Sequence, residues 1–373
     1  MDNMGIPGSS DLIMQQPLPQ RKPAGHYKHK KRRLKRLMAG TVSLFIILCL
    51  CFMGFLHASF QPFEMLRNLW VTSAITSMNH QYLATWLFSD SEISKIQQSN
   101  EATILGNSNP MDIYTNKGPS SDNNAGTTSS NSDPTDLNTR SRGSNTNSSI
   151  ELIDISQKGF KGYLLKVNNP ARVQVAATRY LGIKGEKAED IAKEIGAVAV
   201  INGGVFSDLN GSGNGGRPLG ILISEGNILY KESLTTYDII GFDSNNVLVL
   251  GHYSEVQIKQ MGIRDAVTFE PFLVVNGTPA ITYGNGGWGI APRTAIGQTR
   301  DGTILMLVID GRQIGSLGAT LKDVQDIMLE YGAYNVANLD GGASTVLYYN
   351  NQIVNHPSSL HGERLAPSFF IVK

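Results

Sequence analysis

Cysteine is nearly missing from this 373-residue chain: there are two, Cys49 and Cys51, and both fall in one apolar run. Everything after that run is expected to lack disulfides and thiol chemistry. The sequence also has no His-Glu-x-x-His motif, no Cys/His ligand spacing and no Walker loop, so neither a metal nor a cofactor is expected. Gly211-Ser212-Gly213-Asn214-Gly215-Gly216 is glycine-rich but lacks the lysine and helix that follow a phosphate-cradling loop, and it reads as a candidate lid. Strong net charge is lacking too, at +1 overall, but the charge is unevenly spread. Residues 1–36 hold nine Lys/Arg against Asp2 and Asp11, which leaves the remainder mildly acidic. A nucleic-acid binder would carry positive charge on its folded part, so no nucleic-acid partner is expected.

The most conspicuous feature present is Leu37 to Leu56, twenty uncharged residues directly after the basic cluster. At about 1.5 Å rise per residue this length matches a hydrocarbon core of about 30 Å. A cleaved signal peptide has a shorter apolar core and a small-x-small cleavage site, which His57-Ala58-Ser59 matches poorly. The expectation is a single-pass membrane anchor at 37–56, with 1–36 as a basic cytoplasmic tail and the C-terminal domain outside the cell. In residues 57–105, Trp70, Ile75, Met78, Tyr82, Trp86 and Leu87 recur at helical spacing and predict a membrane-proximal amphipathic helix. Residues 106–149, rich in Ser, Asn and Thr, read as a disordered linker. The globular domain is then 150–373.

That domain is expected to be α+β, with a largely antiparallel or mixed sheet and two principal helices. Glu186 to Ile195 puts Ala188, Ile191, Ala192 and Ile195 on one face, closed by Gly196. Thr320 to Tyr331 does the same with Leu321, Val324, Met328 and Tyr331, capped by Thr320 with Asp323. Hairpin signals stand at Glu225-Gly226-Asn227, Asp243-Ser244-Asn245-Asn246, Asn276-Gly277, Asp301-Gly302 and Asn350-Asn351. One pattern occurs twice: helix, Gly-Ala, four-residue apolar strand, then Asn202-Gly203-Gly204 in one copy and Asn338-Leu339-Asp340-Gly341-Gly342 in the other. It predicts two neighbouring strands of one sheet whose loops open onto a shared cleft.

Asn338 to Thr345 packs an amide, a carboxylate, two glycines and two hydroxyls into eight residues. Alone, Asp340-Gly341-Gly342 is usually a turn. Ile304 to Ile309 is a buried strand that delivers Asp310-Gly311-Arg312, and in extended chain the carboxylate and guanidinium would share a side. Pro292-Arg293-Thr294 offers a second guanidinium suited to a phosphate or carboxylate. Glu363-Arg364 precedes the last strand, and His356 and His361 lie in a polar loop where solvation is the commoner fate.

These segments, together with Ala199 to Phe206, Arg217-Pro218-Leu219-Gly220 and Pro271 to Gly277, stand in the order of the phosphodiester glycosidase family, which residues 150–373 resemble. Many bacterial members of that family are labelled exopolysaccharide-biosynthesis proteins. The resemblance implies hydrolysis of a sugar-1-phosphodiester at the anomeric carbon. The substrate would be a sugar-phosphate polymer or glycoconjugate at the cell surface, teichoic-acid-like or capsular. It implies Asp310 and Asp340 as catalytic carboxylates and Arg293, Arg312 and Arg364 as charge neutralisers. Asn202, Asn338, Gly341, Gly342, Ser344 and Thr345 would hold sugar or phosphate. Glu270, where family members often have glycine, would be a third carboxylate of the site or a structural variant. A non-catalytic wall-polymer binding module and a metal-dependent phosphodiesterase are the alternatives.

Overall fold

The computed structural model describes residues 25–58, 60–77, 80–114, 150–208, 213–359 and 362–373. It divides into two units, 1–64 and 65–373. The first unit holds helix α1 (Gly25–Leu56). Within it Lys35–Gly54 is long and apolar enough to cross a membrane, a property shared by anchors and signal sequences.

The second unit is built on three sheets, and every strand ladder in them is antiparallel. A seven-stranded sheet runs β1 (Ile150–Asp154), β2 (Gly162–Val167), β13 (Ile304–Ile309), β12 (Arg293–Thr299), β14 (Ala333–Asn338), β10 (Phe272–Val275) and β11 (Thr278–Pro279). A five-stranded sheet runs β16 (Gln352–Ile353), β15 (Leu347–Tyr349), β4 (Ala199–Asn202), β17 (Ser368–Val372) and β3 (Val173–Ala177). The third runs β6 (Asn227–Lys231), β5 (Ile221–Ser224), β9 (Ile263–Thr268), β7 (Tyr237–Asp243) and β8 (Leu248–Tyr253). Side chains from all three meet in one apolar cluster, with Leu165, Ile201, Phe242, Met306 and Phe370 among its members. The unbroken apolar run of β13 follows from its place inside the widest sheet: all six residues are buried.

All five hairpin signals mark real hairpins: β5–β6, β7–β8, β10–β11, β12–β13 and β15–β16. Positive φ at Asn276 (52°) and Gly277 (76°), and at Asn350 (50°) and Asn351 (65°), shows why these residue types sit there. The expected helices are α5 (Ala188–Ile195) and α7 (Leu321–Glu330), each packed by its apolar stripe. A third, α6 (Glu255–Gln260), starts at a Ser254/Gln257 capping box that the sequence carries in plain view. The repeated pattern has a different outcome from the one expected. Strand β4 pairs with β15 and β17, and β14 pairs with β10 and β12, so the two strands lie in different sheets. Their loops nevertheless meet, because the Asp340 N–H donates to the Gly203 carbonyl at 3.2 Å.

The N-terminal part of this unit also departs from expectation. Residues 63–100 form three short helices, α2 (Phe63–Ile75), α3 (Tyr82–Thr85) and α4 (Asp90–Asn100), rather than one amphipathic rod. Downstream of α4 the chain lies along the domain. Thr103 N–H donates to Ala280 O (2.9 Å), Ser108 N–H to Leu250 O (2.8 Å) and Tyr114 N–H to Arg300 O (2.7 Å). Residues 106–114, assigned to the linker on composition, are therefore docked. The Asn107 and Ser108 side chains accept from the His252 and Leu250 N–H groups of β8, and Ile113 is buried. Residues 115–149 of the expected linker lie outside the described residues.

Candidate active site

The loop after β14 is threaded tightly. Leu339 N–H donates to Thr294 O (2.9 Å) and Gly342 N–H to Pro292 O (2.9 Å). A Cβ on Gly341 would stand 2.8 Å from Pro292 O, so the residue must be glycine for steric reasons. Gly342 has φ 59° and opens a short 3₁₀ turn, Gly342–Ser344. Asn202 ties this arrangement together from the other sheet. Its Oδ1 accepts from Thr294 Oγ1 (2.8 Å) and Val346 N (3.2 Å), and its Nδ2 donates to the Asp340 carbonyl. Each polar atom of that side chain is committed, so Asn202 braces the loop.

Asp340 projects from this loop. It is set deep in the fold but keeps partial access to solvent. Burial pushes its carboxyl up to about 6, and the charge of Asp208 adds to the rise. Hydrogen bonds from Ser344 and the Gly341 N–H, and the nearby Arg364 charge, pull the other way. Arg364 is bound to Asp208 (2.6 Å), which also accepts from Gly213 N–H (2.7 Å). Asp340 thus feels a guanidinium whose contact partner is another carboxylate.

The remaining two arginines flank the same loop. Arg293, the first residue of β12, is 3% exposed. Its Nε donates to Ala319 O (3.0 Å), and its Nη2 to Trp288 O (3.0 Å) and Gly289 O (2.6 Å). Burial and the neighbouring Arg312 charge lower its pKa to about 9, which leaves it cationic at neutral pH. Arg312 sits at φ 59°, with its N–H on Leu317 O (3.0 Å). The chain turns there instead of continuing extended, so Asp310 and Arg312 do not present as an i, i+2 pair. Its guanidinium lies against Gly342, about 3.4 Å from where a Cβ would be. Among the described residues, neither Arg293 nor Arg312 has a carboxylate within ion-pair distance. The charge of Asp323 opposes the effect of Arg312 on Arg293, and no ion pair among the described residues neutralises either guanidinium directly.

Asp310 has quite different surroundings. Its carboxylate accepts from Asn355 Nδ2 (2.9 Å) and His356 N–H (2.9 Å), and its carbonyl from Ser316 Oγ (2.7 Å). Burial raises its pKa while these donors oppose the rise. The arrangement fastens the 355–356 segment to the end of β13. Replacing Asp310 by Ala would leave the Asn355 Nδ2 and His356 N–H donors without their acceptor, and is expected to cost about 1–3 kcal/mol of stability, read by denaturant unfolding. The loss of activity should be smaller than for a change at Asp340.

Of the other predicted residues, Asn338 is buried, donates from Nδ2 to Glu270 O (3.2 Å) and leaves Oδ1 unpaired. Thr345 is buried with Oγ1 unpaired. The Glu270 side chain is exposed, and only its carbonyl is tied to this region. His356 is exposed, contributing its N–H to Asp310, and His361 lies outside the described residues. The Gly213–Gly216 part of the expected lid is pinned, with Asn214 Nδ2 on Ile183 O (2.6 Å); residues 209–212 lie outside the described residues. Asp208 and Trp288 were not anticipated. Neither stands in a motif, and only the fold brings them to Arg364 and Arg293.

Residues 195–373 match the family model described as phosphodiester glycosidase. This region is a phosphodiester glycosidase-family domain. One relative is the SPbeta prophage-derived uncharacterized protein YomE of Bacillus subtilis (strain 168). It is 31% identical over 168 residues, covering 40% of this chain and 25% of that protein. Another is the Bos taurus N-acetylglucosamine-1-phosphodiester alpha-N-acetylglucosaminidase, 26% identical over 187 residues, covering 46% and 34%. The chain thus spans a quarter to a third of the length of these relatives. Among solved structures, the zebrafish N-acetylglucosamine-1-phosphodiester alpha-N-acetylglucosaminidase catalytic domain, auto-inhibited by its pro-peptide, shares the fold. That match has a TM-score of 0.50 at 22% identity and covers 60% of this chain and 81% of that one. The phosphodiester glycosidase domain matched by the family model begins at the end of α5, so β1–β3 and the whole N-terminal wrap lie outside it.

Proposed function

We propose that this chain hydrolyses the glycosidic bond of a sugar-1-phosphodiester, releasing the sugar and leaving a phosphate monoester on the other partner. The observation that carries this reading is a partly accessible Asp340 with a raised pKa that feels the Arg364 charge, on the loop whose Gly342 packs against the Arg312 guanidinium. The phosphodiester would place its non-bridging oxygens between the guanidinium groups of Arg293 and Arg312. Breaking the anomeric C–O bond sends the electron pair onto a phosphate oxygen, and the arginines neutralise the added charge. So weakly basic a leaving group needs no general acid, which fits a site with one poised carboxylate. Asp340, ionised above about pH 6, takes the proton of the attacking water as positive charge develops at the anomeric carbon. Ser344, which donates to the Asp340 carboxylate, would hold that carboxylate in place as the sugar is attacked. The name of the bovine relative specifies a substrate of this type. With residues 37–56 as an anchor, the glycoconjugate would be one at the cell surface.

Hydrolysis in ¹⁸O-labelled water by the full chain tests the reading. Label in the anomeric hydroxyl of the freed sugar is expected. Label in the phosphate would mean P–O cleavage, as by a phosphodiesterase. Binding without turnover would mean a recognition module that uses the same arginines.

A further inference from the structure

The charge of Arg293 is held by three carbonyls, two of which belong to Trp288 and Gly289. The segment carrying them is poorly specified by its own sequence. Gly284, Gly286, Gly287 and Gly289 all have positive φ (77°, 87°, 81° and 56°), and four such residues in six leave many alternative paths to suppress. Restraint comes from far upstream. Ile290 N–H donates to Ser73 Oγ (2.9 Å), and Thr76 Oγ1 lies 3.0 Å from Trp288 O, sharing its one proton between that carbonyl and Thr72 O (2.7 Å). Asn285 Nδ2 donates to Thr72 Oγ1 (3.0 Å), and Asn285 N–H to Asn100 Oδ1 (3.3 Å). Glu101 bridges Gly286 in parallel register. The fit leaves no slack: a Cβ on Gly289 would collide with Ser73, and one on Gly284 with Asn100. Trp288 O accepts from Arg293 Nη2 and is within reach of the shared Thr76 hydroxyl, so one carbonyl stands between the end of α2 and the guanidinium.

We propose that α2 is part of the anion-binding machinery, with Ser73 and Thr76 as positioning residues that set the carbonyl cage of Arg293 through the Trp288–Ile290 backbone. This rests on the reading that Arg293 faces the substrate phosphate. It assigns a role in the site to a stretch that the family match does not include. If the cage loosens, the guanidinium keeps its charge but loses its fixed direction. Misplacement by about 1 Å is enough to cost up to 100-fold in a reaction that depends on alignment.

The test compares full-length Ser73→Ala/Thr76→Val, Thr76→Ser and Ser108→Ala. Ser108 Oγ accepts from Leu250 N–H (2.9 Å) in the same wrap, on β8 instead of the Trp288–Ile290 segment, and serves as the stability control. Inorganic phosphate binding by calorimetry is the first readout, because it needs no turnover; KM and kcat on a sugar-1-phosphodiester are the second. The double variant is expected to bind phosphate on the order of 10-fold more weakly and to raise KM more than it lowers kcat. Thr76→Ser should restore Thr76's share, and Ser108→Ala should lower Tm by a similar amount with phosphate affinity unchanged. Equal phosphate affinity in the wild type and the double variant overturns the proposal, as does an equal loss in Ser108→Ala. A wild type that binds phosphate but releases no sugar sinks the hydrolase reading and leaves the positioning result standing.

Discussion

Asp340→Asn is expected to abolish sugar release, by about 1,000-fold or more, while making the protein more stable at pH 8. Both effects have one cause. Burial holds the carboxyl near 6, above the ordinary aspartate range, so the fold prefers the protonated form. The stabilising contribution of that form is complete below the unfolded-state pKa and disappears as pH rises through about 6. At pH 8 the folded protein carries a charge it disfavours, and the neutral amide removes a cost on the order of 2–3 kcal/mol, taking roughly 1.4 kcal/mol per pKa unit. Denaturant unfolding at pH 8 and pH 4 should show the mutant's advantage at the higher pH only. In the wild type, kcat/KM should climb with pH and level off above about 6, since the ionised form is the working base. A wild-type profile that is flat from pH 4 to 8, or an Asp340→Asn protein of full activity, would rule Asp340 out.

Arg312→Ala should lower kcat/KM by about 100- to 1,000-fold, the usual loss for one donor to a developing anion. Its side chain is partly exposed and makes no ion pair among the described residues, and its N–H on Leu317 O does not depend on the side chain, so the fold should tolerate the change with a small loss of Tm. Arg312→Lys should recover only part of the activity, because a point charge replaces a planar fork. Added guanidinium that restores the Ala variant would place the missing group directly at the phosphate. An Ala variant whose KM and kcat both match the wild type would assign the anion site to Arg293 alone.

Local signals in the sequence were reliable wherever the physics was local. Hairpins marked by Asn-Gly and Asn-Asn, and helices marked by caps and apolar stripes, formed where expected. So did the convergence of the Asn202 and Asp340 loops, though by contact between two sheets instead of pairing within one. Strand partners depend on the whole arrangement, and two similar helix-strand units carry nothing to say which sheet each will join. Site roles divide the same way. The chain order of Arg293, Arg312 and Asp340 is readable, but which carboxylate is braced and which is poised depends on donors such as Asn355 and Ser344, brought in by folding. The N-terminal wrap was the hardest to see. Residues 106–109 are Gly, Asn and Ser, and only the fold reveals that the amides of this stretch complete strands and loops far along the chain.

The wrap also makes the sheets depend on chain laid down before them. Ser108 N–H reaches Leu250 O on β8, Thr103 N–H reaches Ala280 O, and Tyr114 N–H reaches Arg300 O, so three separate parts of the domain are fastened to one short stretch. Ile150 takes its place independently, opposite Val167 in the seven-stranded sheet. Removing residues 101–114 would therefore strip hydrogen-bond donors from all three places at once, each worth about 0.5–1.5 kcal/mol.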